Sequence, residues 1–202
     1  MTLVSAVITD IRVNIDDTSS TRFTDDTTII LPLVKKALRR AENICIRKGI
    51  EFAKSRTTLT LLADATEVAL PTLFKRDIAM YYNYEEIPKR DNDYFERCSS
   101  GTMWRINGAN AEFKSAPSAN TDYIFWYYPY IDFSAYVVGT TMPWSGRLDD
   151  MIVEYTTMRL LNLDEFSLEM EKELLAEMEQ NILEVYGPWT ATLQEIDGYS
   201  EI

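Results

Sequence analysis

Histidine is absent from this chain of 202 residues. That absence removes Ser-His and Cys-His catalysis, most zinc sites and any imidazole switch near neutral pH. Cysteine is scarce too, with only Cys45 and Cys98. Two thiols cannot build a structural zinc site without other ligand types, and two unpatterned cysteines point to a reducing compartment with no disulfide scaffold. Cys45 sits inside an apolar helical pattern and reads as a small core residue. No apolar run reaches the roughly 20 residues that a membrane span needs, and no basic segment leads into a long apolar one at the N-terminus. The expectation is a soluble protein that starts in the cytoplasm, with no membrane contact. Glycine and proline number seven each; neither an internal repeat nor a low-complexity tract is visible. There is no phosphate-cradling glycine loop and no dinucleotide fingerprint. Positive charge is also short, with 20 Lys and Arg against 32 Asp and Glu, a net −12. A nucleic-acid clamp needs a basic face to displace counterions, so this balance argues against one. It is compatible with a surface that repels DNA and lets it pass.

Aromatic residues are plentiful and unevenly placed. Of the 24 in the chain, six fall among the eight residues Tyr123-Ile124-Phe125-Trp126-Tyr127-Tyr128-Pro129-Tyr130. In a strand, Tyr123, Phe125 and Tyr127 face one way and Ile124, Trp126 and Tyr128 the other. Both faces are apolar, so the strand's own fold is expected to cover one and neighbouring protein the other.

Helical periodicity marks both ends of the chain and a period of two marks the middle. Leu3, Val4, Val7, Ile8, Ile11 and Ile15 form a stripe with Asp10 and Arg12 outside it. Asp16–Thr21 reads as a loop, and Phe23-Thr24-Asp25-Asp26 supplies capping oxygens for the next helix. That helix repeats Ile29, Ile30, Leu33, Val34, Ala37, Leu38, Ala41, Ile44 and Cys45 and stops at Gly49. Pro32 must either kink it or lie in its first turn. Lys35, Lys36, Arg39, Arg40, Arg47 and Lys48 give it a basic face, open to three readings: solvated, in contact with an acidic neighbouring subunit, or on phosphate. Arg56–Pro71 reads as a hairpin, and Ile78, Met80, Tyr82 and Tyr84 continue the alternation. Asp91–Ser100 is a short helix or a loop, and Asn107-Gly108 suits a tight turn between Met103–Ile106 and Ala111–Lys114. Two further helices span Leu148–Leu161 and Leu168–Val185, ended by Gly187-Pro188. Beyond them Trp189, Leu193, Ile196, Tyr199 and Ile202 are spaced among polar residues, as in a docking segment or a free end. The expected fold is α+β. Residues 1–55 and 139–187 form a bundle of terminal helices, 56–138 an inserted antiparallel β subdomain, and 188–202 an extended tail.

Chemistry is hard to find. Glu112-Phe113-Lys114, with Asp91 and Asp93 upstream, has the layout in which carboxylates hold magnesium and lysine helps activate water. The tripeptide is common, and a solvated hairpin edge explains it as well. Asp149 and Asp150 could form a carboxylate pair for glycoside hydrolysis, yet they stand where a helix start favours negative charge. The aromatic strand could stack sugars through Trp126. Ser99-Ser100-Gly101 has no base to activate it. The expectation is a non-enzymatic protein without cofactor or metal.

The order of these parts resembles the head-to-tail adaptor (connector) proteins of tailed bacteriophages. Phe23-Thr24-Asp25-Asp26 running into Leu31–Arg40 is similar to the aromatic–Ser/Thr–Asp start of that family's helix. Glu67-Val68-Ala69-Leu70-Pro71 resembles its strand ending in Leu-Pro. Trp104–Gly108, Phe113–Pro117 and Tyr123–Tyr130 resemble its hairpin and Tyr-Tyr-Pro-Tyr strand, and Met142-Pro143-Trp144 its entry to a final helix pair. The resemblance covers roughly Leu3 to Tyr186; the β-branched first stripe and the tail after Gly187 depart from it. It implies a structural virion protein in the neck, present in the host cytoplasm during assembly. It further implies a dodecameric ring below the portal, joined to tail or neck proteins, with genomic DNA passing through the lumen unbound. Candidate contacts with copies of itself or with the portal are then Lys35, Lys36, Arg39 and Arg40, the aromatics Tyr123, Phe125, Trp126, Tyr127, Tyr128 and Tyr130, and the tail residues Trp189, Leu193, Ile196 and Tyr199.

Overall fold

The structure, a computed structural model, describes residues 2–163 and 167–187. It is an α+β protein whose strand ladders are all antiparallel. The chain divides into two compact units, Met1–Ile50 with Thr141–Ile202, and Glu51–Thr140.

In the helical unit, α1 (Val4–Asn14) buries Val4, Val7, Ile8 and Ile11, the apolar stripe. Arg12, expected outside that stripe, is buried as well, at 7% exposure. Its guanidinium donates to Asp17 Oδ2 at 2.9 Å, to Asp26 Oδ1 at 2.5 Å and to the Phe23 carbonyl at 2.7 Å. Asp17 also accepts from the backbone N–H groups of Thr21, Arg22 and Phe23. The polar loop after α1 is thus wound around one carboxylate. Asp25 then caps the next helix by accepting from the N–H groups of Thr27 and Thr28. A π-helical turn, Asp26–Ile30, precedes α2 (Leu31–Lys48). Pro32 falls in the first turn of α2, where a missing N–H costs nothing. Gly49 closes α2 at φ 73°, a left-handed cap that glycine adopts without strain. Cys45 is fully enclosed, and burial first, then the Glu42 carboxylate, pushes its thiol up to about 12. It is an inert core residue.

The second half of this unit begins where the Met142 N–H donates to the Thr2 carbonyl at 2.8 Å. α4 (Asp149–Leu161) is the central element, packing against α1, α2 and α5 (Leu168–Tyr186). A helix with three neighbours has little solvent face, hence the burial of Ile152, Val153, Tyr155, Thr156, Thr157 and Leu160. α5 is capped by Ser167 and buries Met178 and Ile182. The tail residues Trp189, Leu193, Ile196 and Tyr199 lie outside the described residues.

The β unit contains two sheets. β1 (Ser55–Leu61), β3 (Phe74–Tyr82), β4 (Glu85–Glu86) and β7 (Thr121–Pro129) form one, in the order β1-β7-β3-β4. β2 (Glu67–Ala69), β5 (Trp104–Asn107) and β6 (Asn110–Phe113) form the other, in the order β2-β6-β5. The hairpin expected over Arg56–Pro71 does not form: β1 pairs with β7, and β2 with β6. The alternation of Thr57–Leu62 and a turn at Ala63–Thr66 suggested a hairpin, but Leu59 and Leu61 bury with Tyr123 and Phe125 of the aromatic strand instead. The hairpin at Asn107-Gly108 does form, shifted by one, since Asn107 pairs with Asn110 and Gly108 alone takes a positive φ of 61°. Asp91–Ser100 contributes α3 (Asn92–Arg97), capped by Asp91. Between the sheets lie Leu59, Leu61, Met80, Ile87, Trp104, Ala111, Phe113, Tyr123 and Phe125. Trp104 meets Phe125 edge-on at 5.7 Å and donates its indole N–H to the Ile87 carbonyl at 3.0 Å. Each of these large side chains contributes about 2–3 kcal/mol by burial.

Candidate interaction surfaces

The basic face of α2 meets acidic partners on its own chain. Lys36 Nζ lies 2.8 Å from Glu171 of α5, with Arg40 Nη2 3.4 Å from the same carboxylate. Glu171 also accepts from Tyr155 Oη at 2.9 Å and from Arg159 Nη1 at 3.0 Å. Burial raises its carboxyl, but the Lys36 and Tyr155 hydrogen bonds and the Arg159 charge outweigh that and hold it below its ordinary value. About two turns further along α5, Glu179 pairs with Arg47 and Lys48. Lys36, Arg40, Arg47 and Lys48 thus each meet an acid of α5, while Arg40 and Arg47 remain exposed to solvent. Lys35 is half-buried, and Arg39 is exposed with no ion pair among the described residues. Between α2 and α5 remains a cleft of about 300 Å³ lined by apolar Ile44, Leu175 and the exposed Ala176 and by the charged Arg40, Arg47, Lys172 and Glu179.

The aromatic strand is β7, central in its sheet. Tyr123 and Phe125 are buried on the side facing the second sheet, where Phe125 stacks on the half-buried Tyr127 at 5.5 Å. On the opposite side Ile124 and Trp126 are half-buried, and the Arg56 guanidinium lies 6.0 Å from the Trp126 ring centre. A sugar platform would need that ring face clear. Tyr128 is buried, and Tyr130, past the strand, is half exposed. Of these six aromatics, Tyr123, Phe125 and Tyr128 are core, Trp126 and Tyr127 are half-buried and Tyr130 is exposed.

A surface not singled out by periodicity stands at the other end of β3. Tyr82 pairs with Glu85 across a two-residue turn made by Asn83 and Tyr84, at φ 48° and 69°. Such a turn favours Asn-Gly, so Asn83 fits and Tyr84 occupies the glycine place. A bulky residue held there is strained by roughly 1–3 kcal/mol. Tyr84 is 96% exposed and Tyr82 42%. Glu85 and Glu86 beside them are exposed and make no ion pair among the described residues. Sequence alternation ran straight through Tyr82 and Tyr84 as if one strand continued. The signal that could have found the turn was Asn83, flanked by tyrosines instead of followed by glycine.

The chemical candidates are engaged structurally. Glu112 accepts from Arg105 Nε at 2.8 Å across the hairpin, and Lys114 Nζ lies 4.9 Å from the Phe95 ring centre. Asp91 caps α3 by accepting from the Tyr94 N–H at 2.7 Å. Asp149 and Asp150 open α4 as helix-start acids; burial, foremost, raises the Asp149 carboxyl. Among the described residues no three Cys, Asp or Glu side chains gather as metal ligands would, and no helix is long and apolar enough to cross a membrane. Compared with known protein families and with curated proteins, the chain matches none.

Proposed function

We propose that this protein is a structural head-to-tail adaptor of a tailed bacteriophage, a ring-forming subunit of the neck between portal and tail. The supporting observation is the arrangement of the chain. Its two ends build one helical unit around α4, and the antiparallel two-sheet unit with its aromatic strand is inserted between them. That is the order of parts implied by the resemblance. In this reading the protein has no cofactor and no catalytic step. Its partners are copies of itself, the portal above and tail or neck proteins below. A net charge of −12 per chain makes the assembled ring strongly acidic, so genomic DNA threading it is repelled from the wall and not gripped. A heterologous ring needs two different complementary patches on each subunit.

The tail, 188–202, is the docking segment toward the portal in this proposal. Deleting it should leave the two described units folded and the purified chain monodisperse, while binding to portal-bearing heads is lost. Full incorporation of the truncated chain into heads would reject the tail's role. Absence of the full-length chain from the necks of purified virions would reject the adaptor reading itself.

A further inference from the structure

We propose that the β3–β4 turn of one copy inserts Tyr84 into the cleft between α2 and α5 of the next copy, with Glu85 and Glu86 meeting the cationic rim. The inference rests on the ring reading and supplies its two complementary patches.

Three observations carry it. First, Tyr84 is an expense to the monomer: it takes a positive φ that glycine adopts freely and, 96% exposed, gains almost no contact in return. An outlier of this kind, at the tip of a projecting turn, is what a contact made elsewhere would explain. Second, the charges match. The tip presents Glu85 and Glu86, neither paired among the described residues, and the cleft presents Lys172, likewise without an ion pair, beside Arg40 and Arg47, three cations against the single acid Glu179 that Arg47 already meets. Arg39, one turn before Asn43 of the cleft wall, adds a further cation without an ion pair among the described residues. Third, Ile44, Leu175 and Ala176 give the cleft an apolar part of its lining, and its volume of about 300 Å³ gives a phenol ring room. A rigid aromatic anchor entering a pocket inside a polar rim is the arrangement that concentrates binding energy at interfaces. The occupant is a second copy because both halves of the contact are present on one chain and differ from each other, as a closed heterologous ring requires.

The test uses the full chain, alone over a range of concentrations and bound to portal-bearing heads. Self-association is followed by sedimentation and by cross-linking between copies. Tyr84→Gly should raise the melting temperature of the monomer, since it relieves the turn, and raise the concentration for half-assembly about tenfold or more. Glu85→Lys with Glu86→Lys should weaken association similarly, and mixing that variant with Arg39→Glu/Lys172→Glu chains should restore contacts between unlike copies. Rings of unchanged stability in both tip variants would overturn the insertion while leaving the ring reading intact. A wild-type chain that never contacts its own kind, in solution or on heads, would overturn both.

Discussion

The most constrained single residue is Asp17, which closes a loop by accepting from three backbone N–H groups and from buried Arg12. Hydrogen bonding, the Arg22 N–H foremost, outweighs burial and brings its carboxyl down to about 2 from an ordinary 3.8. The folded state therefore binds this proton less readily than the unfolded chain. Its stabilising contribution is complete above about pH 4 and is lost as the pH falls toward 2. Asp17→Asn should melt several degrees below wild type at pH 6, with the gap closing between pH 4 and pH 2; a gap independent of pH would show that the carboxylate charge is irrelevant. None of this was visible as periodicity. Arg12 sits at a polar position of a helical stripe, and the acids that draw it inward follow in a loop whose path no pattern specifies. Tyr84 escaped for the opposite reason, since its alternation with Tyr82 imitates a strand so well that the turn it belongs to is hidden.

Among the elements, α2 was legible because an apolar stripe sustained over several turns, a capping aspartate and a terminal glycine all agree. β7 was legible from its aromatics, and the Gly108 turn from its dipeptide. Pairing was less so. β1 and β2 follow each other closely, so a local hairpin is the simplest expectation, but the burial available on Tyr123 and Phe125 outweighs the longer loop that a distant partner requires. The match between α2 and α5 was equally hidden: lysines and arginines near residue 40 and glutamates beyond residue 170 carry no mark of facing each other. Glu171 is the joint of that match, serving Lys36, Arg40, Arg159 and Tyr155 at once. Glu171→Ala should cost about 2 kcal/mol, because cations and a hydroxyl lose their acceptor together. Chemical denaturation would read the loss, and faster amide exchange in α5 than in α1 would locate it.

At the scale of the molecule, the β unit has its own two-sheet core and no strand borrowed from the helical unit. Residues 51–140 expressed alone should fold cooperatively, with dispersed amide signals and a single melting transition; a chain that stays unfolded would show that the insertion depends on its host. The helical unit has no such independence along the chain. α1 and α2 are made early, yet the helix that joins them, α4, and the helix that forms the cleft wall, α5, come only after the whole insertion. A polypeptide still leaving the ribosome can thus display a finished β unit while its helical half waits for α4 and α5. Under the insertion proposed above, a growing chain can therefore offer its tip before it can accept one, because the cleft is complete only once α5 has been made.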